Sequence, residues 1–214
     1  MKVRVEATAD RRVGTNSYLV IDDDTKDAVI IDANFEPDLV IEAARKNNAK
    51  VRAILLTHTD VDHIAGLPAL IREFGAIPIA VHDAERAGLA AGKSLRSEFA
   101  VDADPLENLD TLREHDTYRA GSLEFEVLHT PGHSPGGVTL KIGDVLFTGD
   151  ALFAGSIGRS DFRNSDGRAL LAGIKSKLLS QPDDAVVRSG HGPATTIGRE
   201  RRANPFLVLD GEDD

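Results

Sequence analysis

The sequence contains no cysteine, so disulfide frameworks, zinc ribbons, thiol nucleophiles and iron–sulfur clusters are excluded together. Any metal must sit on histidine, aspartate or glutamate. No window approaches the roughly 18 uninterrupted apolar residues that a bilayer-spanning helix needs, and no membrane partner is expected. The opening Met1-Lys2-Val3-Arg4-Val5-Glu6 alternates charged and apolar residues without an apolar h-region, so it reads as a first strand and not a signal peptide. A cytoplasmic protein is the expectation. Basic residues are the scarcer charge: 25 Lys+Arg against 35 Asp+Glu leave a net charge of −10, the wrong sign for tracking phosphate backbones. No nucleic-acid partner is expected, a small-molecule substrate is, and the oligomeric state stays open.

What is present suits one globular core. At roughly 150 residues per domain, 214 residues favour a single domain over residues 1–214. A hydrophobic share of 41% with 28% charged residues excludes wholesale disorder. Part of the acidity lies in the tail 208–214, which ends Asp210-Gly211-Glu212-Asp213-Asp214 and reads as a solvated end.

Short apolar runs alternate with turns and helical patterns. Ser17–Ile21 and Ala28–Asp32 read as strands, followed by a helix over 37–48 and a buried strand at 51–57. Beyond the histidines, Ile64, Leu67, Ile71 and Phe74 recur at helical spacing and Gly75 supplies the stop. A helix is therefore expected where the polar cluster ends, then a strand at 77–81. Periodicity weakens over about 84–116, which marks a candidate variable insert or lid. Strands return at 123–128, 138–142 and 145–148. Leu171, Ile174 and Leu178 define a helix face with Ser165 or Asp166 as cap, and a last strand runs 185–188. This order points to an α/β (α+β) chain in which two sheets pack together under helices.

The chemistry concentrates in Thr57-His58-Thr59-Asp60-Val61-Asp62-His63. In extended backbone the side chains of His58, Asp60 and Asp62 leave on one side, with His63 at the turn into the helix. Four groups of metal-ligand type therefore converge. The plainer reading is a capping loop in which Asp62 caps and the histidines are satisfied polar groups. Three further residues of ligand type each follow a glycine at a turn: His133, Asp150 and His191. Singly each is an ordinary turn residue, but together they favour a metal centre.

Four motifs carry a resemblance: His58-x-Asp60-x-Asp62-His63, then Pro131-Gly132-His133-Ser134-Pro135-Gly136, Thr148-Gly149-Asp150 and Gly190-His191-Gly192-Pro193. The chain resembles the metallo-β-lactamase-fold superfamily from about Ser17 to Leu207, with its nearest likeness to glyoxalase II-like (hydroxyacylglutathione hydrolase-like) small hydrolases. The resemblance implies an αββα four-layer sandwich of two mixed β-sheets flanked by helices, with two divalent metal ions at one edge. It also implies that His58 and His133 hold the first metal, Asp62, His63 and His191 the second, and that Asp150 bridges them. The chain departs from the branch at Asp60, where a histidine normally stands. The shorter, charged ligand makes the first site harder and less suited to zinc alone, so iron or manganese stands beside zinc. Acidic residues occupy that position in flavodiiron oxidoreductases and in competence-type DNA-processing domains.

The implied reaction is hydrolysis of a thioester, ester or lactone by hydroxide generated between two cations about 3.5–4 Å apart. Asp62 and Asp150 are the expected catalytic carboxylates, Asp62 as a proton relay. The helical C-terminal domain that helps glyoxalase II hold glutathione is not expected. Two other readings stand. One is a non-haem iron oxidoreductase, persulfide dioxygenase-like, using His58, His133 and Asp150. The other is a non-catalytic binding module with a degraded centre.

Among the remaining polar residues, Asp32 resembles a brace for the ligand loop and His129 a support for its neighbour. Arg159 and Asp161 could face substrate or bridge each other. His82 and His115 read as surface or capping residues, and Tyr18 and Tyr118 as packing.

Overall fold

The computed structural model describes residues 2–96, 106 and 108–208. The first half contains β1 (Val3–Ala9), β2 (Asn16–Asp22), β3 (Asp27–Ile31), α1 (Pro37–Lys46), β4 (Lys50–Leu55), α2 (Val61–Ile64), α3 (Leu67–Phe74), β5 (Ile79–His82), α4 (Asp83–Ala90) and β6 (Leu109–Leu112). The second half contains β7 (Thr117–Ala120), β8 (Leu123–His129), β9 (Val138–Ile142), β10 (Val145–Gly149), β11 (Leu152–Phe153) and β12 (Ser156–Ile157). It continues with α5 (Gly167–Gly173), a π-helical extension over Ile174–Leu178, then β13 (Val186–Ser189), β14 (Thr195–Thr196), α6 (Ile197–Ala203) and α7 (Pro205–Val208).

Two six-stranded sheets result, in the orders β1-β2-β3-β4-β5-β6 and β14-β13-β10-β9-β8-β7. Both are mixed: β3 to β6 run parallel after an antiparallel meander, and β10 and β13 are the parallel pair of the second sheet. Strand β2 shows why its sequence is an unbroken apolar run. Tyr18 and Val20 pack against Phe125, Val127, Leu140 and Phe147 of the other sheet, while Leu19 and Ile21 face the cluster under α1 and α3. A strand buried on both faces cannot alternate polar with apolar. The outer face of the second sheet is closed by Leu170, Ile174, Leu178 and Ile197. The layers are therefore helix, sheet, sheet, helix, as the resemblance implies.

The helix at 167–178 begins where Asp166 caps it, accepting from the amides of Arg168 and Ala169 at 3.0 Å. The polar cluster departs from its expectation. Val61 already opens α2, so Asp62 sits on a helical turn and not in the extended backbone expected of it, while His63 lies on that turn into the helix as expected. Gly66 stands between α2 and α3, where a Cβ would lie 2.6 Å from the Asn34 carbonyl oxygen.

The stretch read as a candidate insert contains α4 and the edge strand β6, with residues 97–105 and 107 outside the described residues. Weak periodicity concealed α4 because its buried positions include the charged Glu85 beside Leu89. The acidic residues 209–214 also lie outside the described residues. Among those described, no helix is long and apolar enough to cross a membrane.

Candidate metal centre

The ligand-type residues leave the ends of strands that finish on one edge. The 56–60 loop follows β4, the 130–137 loop follows β8, Asp150 follows β10 and His191 lies just beyond β13. Backbone bonds stitch that edge together: the Val138 amide donates to the Thr57 carbonyl at 2.9 Å, Gly190 to Gly149 at 2.8 Å and Asn16 to Gly190 at 2.7 Å. The two sheets thus fix the loops relative to each other before any ion is considered.

All seven residues singled out in the sequence meet there. Three overlapping groups, His58 with Asp60 and His133, His58 with His63 and Asp150, and Asp62 with His63 and His191, have ligand atoms within 4.8 Å of one another. Asp150 links the groups, with Oδ1 3.4 Å from His63 Nε2 and Oδ2 3.7 Å from His133 Nε2 and 3.5 Å from His191 Nε2.

The imidazoles are oriented from behind. His58 Nδ1 donates to Thr57 Oγ1 at 3.1 Å, because that hydroxyl's own proton goes to Asp32 at 2.8 Å. His63 Nδ1 donates to Asp32 Oδ2 at 2.9 Å and His133 Nδ1 to the Arg159 carbonyl at 2.8 Å. Each ring therefore presents Nε2 to the shared space, the arrangement that fixes metal-binding tautomers. His58 Nε2, His63 Nε2 and Asp150 Oδ1 are buried there without a hydrogen-bond partner, and Asp60 Oδ2 faces His133 Nε2 at 3.1 Å and His58 Nε2 at 3.6 Å. Buried polar atoms are rarely left without a partner, and this set of imidazole nitrogens and carboxylate oxygens fits a divalent cation.

The electrostatics agree. Burial alone would raise the Asp150 carboxyl, but the His63, His58 and His191 rings hold it far below the ordinary range. Burial opposes Asp62 ionisation too, and is overcome by the His191 hydrogen bond, the His63 charge and Thr15. Burial and the neighbouring His58 push His133 down to about 4, so this ring is neutral at pH 7. Burial pulls His63 down as well, but the Asp32 and Asp150 carboxylates outweigh it and leave the ring well above its usual value.

Three residues that sequence reasoning missed complete the surroundings. Thr15 Oγ1 donates to Asp62 Oδ2 at 2.6 Å. Glu85, on α4, accepts from the Thr59 amide at 2.7 Å and the Gly136 amide at 2.8 Å, clamping two ligand-bearing loops. Arg96 donates to Asp60 Oδ2 and, at 3.0 Å, to the His133 carbonyl. Only the unexplained acid at position 60 hinted that a cation should lie nearby.

The secondary candidates separate cleanly. Asp32 sits behind His63, at a positive φ of 59°. His129 Nε2 bonds the Pro135 carbonyl at 2.9 Å, while His82 caps α4 through the Ala84 amide and stacks on His129. Arg159 and Asp161 pair with each other at 2.9 Å and are both exposed. Tyr18 donates to the Ser189 carbonyl and Tyr118 to Asp110, each at 2.7 Å. His115 is exposed beside Glu114. An open groove of about 810 Å³, lined by Ile157, Arg159, Arg168, Leu171 and Phe206, adjoins the segment whose carbonyl orients His133.

Comparison with known proteins supplies independent context. Residues 10–191 match the family model described as the metallo-beta-lactamase superfamily. Hydroxyacylglutathione hydrolase GloC of Haemophilus influenzae is 34% identical over 201 residues, spanning 86% of this chain and 89% of that protein. The crystal structure of BLEG-1 B3 metallo-beta-lactamase superposes with a TM-score of 0.84 at 38% identity, covering 96% of this chain and all of the other. TTHA1623, solved in a di-iron-bound form, gives a TM-score of 0.76 at 34% identity over 94% of this chain and 100% of its own.

Proposed function

The chain belongs to the metallo-beta-lactamase superfamily, and from that premise we propose that it is a metal-dependent hydrolase of a thioester, ester or lactone. Metallo-hydrolase relatives support hydrolysis as the reaction class. The name of the GloC relative makes an acyl-glutathione thioester the first substrate to try. One observation carries the reading: His58, His63 and His133, each held from behind through Nδ1, gather their Nε2 atoms around Asp60 and Asp150, and those of His58 and His63 are buried with no hydrogen-bond partner.

In this proposal His58, Asp60 and His133 would hold a first divalent ion and Asp62, His63 and His191 a second, with Asp150 available to both. The di-iron form of TTHA1623 and the hard Asp60 ligand keep iron and manganese beside zinc as occupants. Bound there, such ions would polarise a carbonyl and acidify water. The protein's own groups do the rest. Asp32 and the Arg159 carbonyl keep the rings aligned, and Asp150 stays anionic at every pH of interest. Asp62, also held as an anion by His191 and Thr15, accepts a water O–H without keeping the proton, which suits a transient relay to the leaving group. The described residues are read as one domain with this single centre.

The test joins elemental analysis of protein purified without added metal to a panel of acyl-glutathione thioester, chromogenic ester and lactone. Bound metal with thioester or ester turnover is the expected result. Oxygen uptake with a persulfide and no hydrolysis would replace this reading with the iron oxidoreductase, and absence of both metal and turnover would leave a binding module.

A further inference from the structure

We infer that Arg96 competes with the first metal ion for Asp60, so that the chain binds an ion tightly at Asp62, His63 and His191 and fills the first group only when this guanidinium withdraws. The inference rests on the metal-centre reading above and deepens it by ranking the two groups in affinity.

The contested atom is Asp60 Oδ2. It faces His133 Nε2 at 3.1 Å and His58 Nε2 at 3.6 Å, so it is the oxygen that this acid offers to an ion held with those two rings. Arg96 Nη1 donates to the same oxygen. An oxygen has lone pairs enough for two partners, but sharing would set a divalent ion against a guanidinium at close range. The Arg96 side chain is only 23% exposed and that of Asp60 only 14%, so little water screens the repulsion.

Arg96 is built into this position. The Leu95 amide donates to the Thr59 carbonyl at 2.8 Å, which delivers the next residue beside Asp60. Arg96 Nη2 donates to the His133 carbonyl at 3.0 Å, and the guanidinium lies over the Phe162 ring at 3.9 Å from its centroid. A protonated imidazole can make way for an ion by giving up its proton. A guanidinium keeps its charge at every accessible pH and has to move. The second group meets no such rival: Asp62 Oδ2 faces His191 and His63 Nε2 at 3.3 and 3.6 Å and takes its other hydrogen bond from the neutral Thr15 hydroxyl, with no lysine or arginine paired to it among the described residues.

Chelator-competition titration of the metal-free protein with zinc(II), joined to bound-metal analysis, tests the ranking. Wild type should take one equivalent tightly and a second weakly. Arg96→Gln should tighten the weak equivalent by about 10–100-fold, the range by which groups around a metal ligand shift affinity, and leave the tight one unchanged, which also shows that the variant is folded. Asp60→Asn should keep the tight equivalent. The sequence has no tryptophan, so Phe162→Trp places a single reporter under the guanidinium, and its fluorescence should change with the second equivalent of zinc and not with the first. Adding Arg96→Gln should abolish that change. Two equally tight equivalents in wild type, a weak equivalent that Arg96→Gln does not tighten, or loss of the tight one in Asp60→Asn would overturn the inference and leave the metal centre standing. A wild-type protein that takes no zinc at all would overturn the metal reading, and this one with it.

Discussion

Asp32 lies 2.9 Å from His63 Nδ1 and also accepts from the Thr57 amide and hydroxyl, each at 2.8 Å. One buried carboxylate therefore orients His63 directly and His58 through Thr57. Asp32→Asn should turn an amide N–H towards His63 Nδ1 and disfavour the tautomer with a free Nε2. Metal affinity should fall by about 10–100-fold with the fold intact, because asparagine tolerates the positive φ of this position. Metal titration alongside circular dichroism checks both halves.

Glu85 should matter to stability more than to metal binding. Glu85→Ala would leave the Thr59 and Gly136 amides without their acceptor, at about 1–3 kcal/mol for each unsatisfied buried group. Urea denaturation of the metal-free protein measures it. An unchanged midpoint would mean that water replaces the carboxylate.

Asp150→Asn should sharply reduce both metal stoichiometry and turnover, since Asp150 is the carboxylate shared among the histidines of both groups. Wild-type values for both would remove the two-ion arrangement.

Gly190→Ala should impair metal binding without deleting a ligand. A Cβ there would lie 2.2 Å from Asp150 Oδ1 and 2.7 Å from His63 Cε1, so one or both must move. Normal bound metal in this variant would show that the centre adjusts freely.

Metal loading should release protons near pH 7. The His63 ring is held charged in the metal-free protein by Asp32 and Asp150, against the effect of burial, and a ligand imidazole must give up that proton. The release should shrink as pH rises through the raised His63 value, because the ring is by then already neutral. His133, depressed to about 4, should contribute nothing above pH 6. Indicator-dye titration in weak buffer measures the release. A release that grows with pH in this range would contradict the assignment of His63.

The sequence alone determined the layers and most of the centre. Period-two burial and unbroken apolar runs such as Tyr18–Ile21 fix strands and their packing faces through local stereochemistry. His133, Asp150 and His191 were legible because each ends or follows a strand behind a glycine. What only the tertiary structure decided is how those ends meet and what stands behind them. Glu85 and Arg96 lie in a stretch without useful periodicity, and a charged residue in sequence carries no sign of whether its partner is water or a loop distant along the chain. Thr15 reaches Asp62 across 47 positions because β2 carries it to the same edge. Such contacts depend on sheet register and loop path, set by the packing of the whole molecule and by no local pattern.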